Sequence, residues 1–187
     1  MNYATIKKND IANGPGVRVS LFVSGCRHRC PGCFNREAWD FNYGAPFTRD
    51  VENDIIAAAK PSYVTGLTLL GGEPFEPENQ APLVSFVKRF REANPNKTVW
   101  CYTGFLFEDI LAGKVGDPAT AAELLSLIDT LVDGRFVAEL KDLSLMFRGS
   151  SNQRILDVCR SKREGKAVIM DGTWERRMGS GNIEDSI

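Results

Sequence analysis

Three times along this chain a short run of β-branched and apolar residues stops at a glycine-bearing turn and gives way to a segment with helical spacing. That alternation restricts the fold more than any other feature. Val17 to Ser24 (V-R-V-S-L-F-V-S) reads as a buried strand ended by Gly25. After a turn-rich stretch, Thr48 is placed to cap a helix with Asp50 and Glu52 in its first turn and Val51, Ile55 and Ile56 on one face, closed by Pro61. Gly66 to Leu70 reads as a second strand running into Gly71-Gly72-Glu73-Pro74, with a helix from about Glu78 to Ala93. Thr98 to Tyr102 forms a third strand, followed by the turn Thr103-Gly104 and helical material from Leu106 to about Ile128, interrupted at Pro118. Thr130 to Val132 is a fourth strand ending at Asp133-Gly134-Arg135; Asn152 to Lys162 reads as helix and Ala167 to Met170 as extended. Such alternation predicts an α/β fold of mostly parallel strands joined by helical crossovers. A closed eight-stranded barrel takes about 250 residues, and this chain has 187. The expectation is one domain over 1–178, an open, incomplete (β/α) barrel, with a polar, disordered tail over 179–187.

In parallel α/β folds the site lies at the C-terminal ends of the strands, and every unusual motif here falls on that edge. A net charge of -1 offers no basic face for nucleic acid. No apolar run approaches the roughly 20 residues that span a bilayer, and the N-terminus has no basic region followed by an apolar stretch. The expectation is a cytoplasmic protein without nucleic-acid or membrane partners. A single histidine, His28, argues against hydrolytic zinc sites and histidine-dependent triads.

Three of the five cysteines stand within eight positions, in C-R-H-R-C-P-G-C from Cys26 through Cys30 to Cys33. They are too crowded for a disulfide framework, and such crowding in a reducing compartment points to metal or redox chemistry. Three thiolates on one compact loop, with no fourth cysteine nearby, suit an iron-sulfur cluster that keeps one iron open to an outside amine and carboxylate. A structural zinc site completed by His28 or Cys159 is the alternative. His28, however, has only one residue between it and each flanking cysteine, where zinc ligand pairs usually have about two to four between them. Cys101 and Cys159, on a predicted strand and a predicted helix, read as small core residues.

Together with Gly71-Gly72-Glu73-Pro74, the three cysteines resemble the motifs of the radical S-adenosylmethionine enzymes. The stretches N-G-P-G-V-R (Asn13 to Arg18), S-L-F-V-S-G-C through C-P-G-C-F-N, V-D-G-R-F (Val132 to Phe136) and R-G-S-S-N-Q-R-I (Arg148 to Ile155) narrow the likeness. From about Asp10 to Leu156 the chain is similar to the activating proteins of anaerobic, class III ribonucleotide reductases. The resemblance implies a [4Fe-4S] cluster on Cys26, Cys30 and Cys33 that cleaves S-adenosylmethionine reductively to methionine and a 5'-deoxyadenosyl radical. That radical takes hydrogen from a glycine of the reductase large subunit, and the electron comes from a low-potential donor such as flavodoxin or ferredoxin. Gly71, Gly72 and Glu73 would receive the methionine ammonium, Arg135 the carboxylate, and Asp133 would order the ribose or sulfonium end.

Many members of the wider superfamily carry an aromatic residue just before the last cysteine, where this chain has Gly32. The adenine contact therefore falls to the backbone of Gly32 and Cys33 or to the ring of Phe34, unless Phe34 is core. Asn13-Gly14-Pro15-Gly16 reads as a turn with Arg18 solvated beyond it; Arg27, His28 and Arg29 read as solvated loop charges. Ser151 or Asn152 would cap the following helix. Two other functions remain open at this point: activation of a different glycyl-radical enzyme of the pyruvate formate-lyase type, and a non-catalytic zinc or iron-sulfur module.

Overall fold

The computed structural model describes residues 1–172, so the proposed domain end at 178 and the tail 179–187 lie outside the described residues. Seven strands form one sheet: β1 (Asn2–Asp10), β2 (Val17–Val23), β3 (Ala45–Pro46), β4 (Val64–Gly71), β5 (Thr98–Tyr102), β6 (Thr130–Asp133) and β7 (Arg154–Asp157). Their spatial order is β3-β1-β2-β4-β5-β6-β7. The four central strands, β2, β4, β5 and β6, run parallel, while β1, β3 and β7 pair antiparallel at the flanks.

Five α-helices connect or follow the parallel strands: α1 (Arg49–Ala58), α2 (Pro77–Ala93), α3 (Phe107–Leu111), α4 (Pro118–Ser126) and α5 (Val158–Glu164). Because β2, β4, β5 and β6 are added in one direction, right-handed crossovers place their helices on one face. The main core shows this: Val19, Leu21, Leu67, Leu69, Val99, Cys101 and Leu131 of the strands pack with Ile55, Leu83, Phe86, Phe90, Ile110 and Leu124 of the helices. Burying Phe86 and Phe90 completely stabilises the fold by roughly 1.5–3 kcal/mol each. The opposite face carries a smaller cluster of Trp100, Val132 and Ile155, covered by Tyr102, Phe147 and Met170.

Most predicted elements stand where the sequence placed them. Thr48 caps α1 by accepting from the Val51 N–H, and the helical material breaks ahead of Pro118, which is the first residue of α4, capped by Asp117. Three readings need correction. The chain begins with a nine-residue strand, β1, whose N-Y-A-T-I-K-K-N-D sequence carries no apolar run and whose register against β2 shifts twice, erasing any alternation. The segment read as a helix from Asn152 begins instead with β7; Asp157, rather than Ser151 or Asn152, caps α5 by accepting from the Arg160 N–H. Cys159 is exposed, whereas Cys101 is buried in the core.

Arg18 is likewise not solvated: it is 1% exposed. Its guanidinium donates to the Thr68 and Thr98 hydroxyls and to the carbonyls of Leu67 and Thr98, and burial lowers its pKa to about 10. The Thr68 hydroxyl in turn donates to the Asn13 carbonyl. The Asn13 to Gly16 turn is thus held against the helix-free face.

Candidate active site

The cysteine loop leaves the C-terminal end of β2 and is turned back by three left-handed residues, Gly25 (φ 95°), Arg29 (φ 48°) and Gly32 (φ 73°). Glycine suits the first and third; Arg29 is one of two non-glycine residues in that region among those described, the other being Phe147. The Gly71-Gly72-Glu73 segment is zipped onto this loop by backbone bonds: Gly72 N–H to Val23 C=O at 2.7 Å and Glu73 N–H to Gly25 C=O at 2.8 Å. A Cβ on Gly72 would stand 2.5 Å from the Gly25 oxygen, so the second glycine is needed for close approach rather than for a turn.

Arg27 and His28, expected as solvated charges, are both engaged. The Arg27 guanidinium pairs with Glu76 and Glu78 and lies over the Phe41 ring at 4.4 Å, and it holds the Glu78 carboxyl down to about 2. His28 is buried against the edge of Phe105, with its Nε2 3.0 Å from Glu73. Gly104 is glycine because a Cβ there would meet the His28 ring at 2.4 Å.

Glu73 is the hub of these contacts. One carboxylate oxygen accepts from the Phe75 N–H and the Thr103 hydroxyl, each at 2.8 Å. The other accepts from the Gly104 N–H at 2.7 Å and faces His28 Nε2. Four partners fill a carboxylate's capacity. Glu73 therefore braces the cysteine loop against the end of β5, and it has no vacant position to serve as the sole acceptor of an ammonium.

A cavity of about 510 Å³ opens beside this hub, within the size range of small-ligand sites. Cys26, Cys30 and Cys33 line it together with Gly32, Phe34, Gly71, Gly72 and Glu73. Phe34 is at its mouth and 92% exposed, so it is no core residue. Asp133 and Arg135 are not among the lining residues. Asp133 is fully buried and accepts from the Nε and Nη2 of Arg154 and from the Phe107 N–H. Arg135 is exposed and acts on the cavity only as a positive charge near Cys30. Among the lining residues that sequence reasoning did not put forward are Tyr102, Phe136 and Arg148; Thr103, at the strand-ending turn, was readable as one that reaches the ligand.

The sulfurs sit in different surroundings. Burial, and then the negative charge of Glu73, pushes the Cys26 thiol up to about 12, against the pull of the His28 and Arg29 N–H groups. Cys30 is raised by burial, with the Phe136 N–H and Arg135 acting the other way. Both shifts favour the protonated thiols, so a metal that binds them displaces those protons, and the N–H groups aimed at Cys26 and Cys30 are of the kind that tune cluster sulfurs.

A family model for a 4Fe-4S single cluster domain matches residues 12–156. The chain is 43% identical over 155 residues to the anaerobic ribonucleoside-triphosphate reductase-activating protein of Escherichia coli strain K12, covering 82% of this chain and 96% of that protein. Proteins of the same name from Haemophilus influenzae and from phage T4 are 41% and 39% identical, each over 83% of this chain and over 97% and 93% of their own lengths. This chain belongs to the anaerobic ribonucleotide reductase-activating protein family.

The residues present fit the iron-sulfur cluster of that family. Three cysteines from one loop face one cavity, and among the described residues no three His, Cys, Asp or Glu side chains converge as a single ion requires. Thiolates that bind three different irons need no such convergence. His28, the imidazole that a zinc site would have drawn on, is committed to Glu73. In an activating protein with this geometry, Asp133 belongs to the scaffold. Asp133→Ala is expected to leave Arg154 with one acidic partner, Glu108, instead of two, and to lower unfolding free energy by about 3 kcal/mol in denaturant titration.

Proposed function

We propose that this protein activates an anaerobic ribonucleotide reductase by generating a glycyl radical on its large catalytic subunit, with S-adenosylmethionine as cosubstrate. One observation carries the reading: the three-cysteine loop and the Gly71-Gly72 segment line a single cavity at the C-terminal ends of β2 and β4. The family's relatives are named for the reductase they activate, which favours that partner over a pyruvate formate-lyase type. Bound on Cys26, Cys30 and Cys33, a [4Fe-4S] cluster would supply one low-potential electron for reductive cleavage of the sulfonium, giving methionine and a 5'-deoxyadenosyl radical.

The chain's own residues do the positioning. Gly71 and Gly72 offer close backbone approach to the methionine ammonium, since Glu73 is occupied by its own network. Phe136, which lies against Gly32 at the place where the wider superfamily has an aromatic side chain, is read as the adenine-side ring. The sheet is read as the wall of an open, incomplete barrel, a reading supported by helices on one face only. The partner's glycine-bearing segment would enter at the cavity mouth, beside Phe34 and Leu143, 92% and 89% exposed. A flavodoxin or ferredoxin in the cytoplasm would supply the electron.

Anaerobic incubation with dithionite, S-adenosylmethionine and the reductase large subunit is expected to give a doublet in electron spin resonance on the reductase, together with 5'-deoxyadenosine. Cleavage should be faster with the reductase than without it, because the target must stand within reach of C5' before the radical forms. A doublet on another glycyl-radical enzyme, and none on the reductase, would transfer the activity to that partner.

A further inference from the structure

We infer that Arg148, rather than Arg135, receives the carboxylate of the methionine moiety. The inference rests on the S-adenosylmethionine reading above and assigns one contact within it. Arg148 lines the cavity that holds the three cysteines and Gly71-Gly72. Its Nη1 donates to the Gln153 carbonyl at 3.1 Å, and its Nε is buried with no hydrogen-bond partner among the described residues. It forms no ion pair with any described carboxylate, whereas Arg27, Arg49, Arg89, Arg91, Arg154 and Arg160 each pair with an acid; Asp142, which lines the same cavity, is bonded instead to the Ser144 N–H and hydroxyl.

With Nη1 taken, the edge left over is the one formed by Nε and Nη2. Two parallel N–H groups on that edge match a carboxylate's two oxygens, and a buried Nε without an acceptor costs free energy until such a partner arrives.

The backbone supports the placement. Phe147, next to Arg148, is held in the left-handed region (φ 56°) with its ring packed on Trp100 at 5.7 Å. Gln153 fixes the other side: its side-chain oxygen accepts from the Gly149 and Ser150 N–H groups, and its side-chain nitrogen donates to the Gly134 carbonyl. A strained residue and a three-way clamp thus hold one guanidinium at the wall. Arg135 has no such setting. Its side chain is exposed and is not among the lining residues, and its backbone carbonyl accepts from the Asn152 side-chain amide. Lys141 lines the rim but is exposed.

The test compares two ligands by equilibrium dialysis on anaerobically reconstituted protein. S-adenosylmethionine carries the amino-acid portion, and 5'-methylthioadenosine lacks it. Arg148→Ala is expected to raise the Kd for S-adenosylmethionine by about tenfold or more while changing that for 5'-methylthioadenosine by less than about twofold; Arg148→Lys should lose less, and Arg135→Ala and Lys141→Ala almost nothing. Equal weakening of both ligands would make Arg148 a structural wall and overturn the assignment. So would unchanged S-adenosylmethionine binding in Arg148→Ala, or a larger loss in Arg135→Ala or Lys141→Ala. Absence of S-adenosylmethionine binding by the parent protein would instead sink the functional reading itself.

Discussion

Cys30→Ala protein, purified and reconstituted anaerobically with iron and sulfide, is expected to lack the brown colour of the parent and to form no glycyl radical. The expectation follows from the ligand count. Cys26, Cys30 and Cys33 line one cavity, and neither of the other two cysteines does: Cys101 is in the main core, and Cys159 is an exposed residue of α5. A cluster that already lacks a fourth protein thiolate has no ligand to spare. Two controls separate ligation from general damage. Cys159→Ala should keep full colour and stability, and Cys101→Ala should keep the colour while losing about 1–2 kcal/mol from a small core cavity. Iron and sulfide analysis with electron spin resonance of the reduced protein checks all three. A Cys30→Ala protein that retained a full complement of cluster would place the ligands elsewhere.

How much of this could be read from residues alone depended on how local each signal was. The cysteine loop and the Gly71-Gly72 turn are contiguous motifs at the ends of apolar runs, and the sheet brings them together because β2 and β4 are neighbours in parallel register. The four parallel strands were legible for the same reason. β1 was not, because a partly solvated, bulged flanking strand has no apolar run to betray it. β7 was hidden by its helix: four strand residues pass straight into α5, with Asp157 ending one and capping the other, so no turn residue separates them.

Side-chain roles were less legible than elements, because they depend on partners distant in sequence. Asp133 and Arg135 belong to the motif at the end of β6, yet Arg154 captures the first and solvent takes the second. Spacing along the chain cannot reveal a partner 21 residues away. The composition did hold one usable hint. A lone histidine between two cysteines is an unusual choice for a merely solvated position, and its partner, Glu73, was already under scrutiny.

The consequence of that pairing is largest at Glu73. Glu73→Gln is nearly the same size and is expected to lower the unfolding free energy by about 3 kcal/mol, a fall in Tm of roughly 6–12 °C for a chain of this length. The reason is the chemistry of its four partners. Each oxygen faces one backbone N–H: Phe75 on one side and Gly104 on the other. The Thr103 hydroxyl can rotate to accept and His28 can change tautomer, but a backbone N–H can only donate. Whichever way the new amide is turned, its NH2 confronts one of these two donors, in a site where Glu73 is 1% exposed and water cannot step in. Glu73→Ala, which deserts all four, should be worse still, about 5 kcal/mol. Urea unfolding of the cluster-free proteins isolates this effect from cofactor binding. Were Glu73 an open ligand for an ammonium and nothing more, the cluster-free Gln variant would unfold at the parent's urea concentration, and only S-adenosylmethionine affinity would fall.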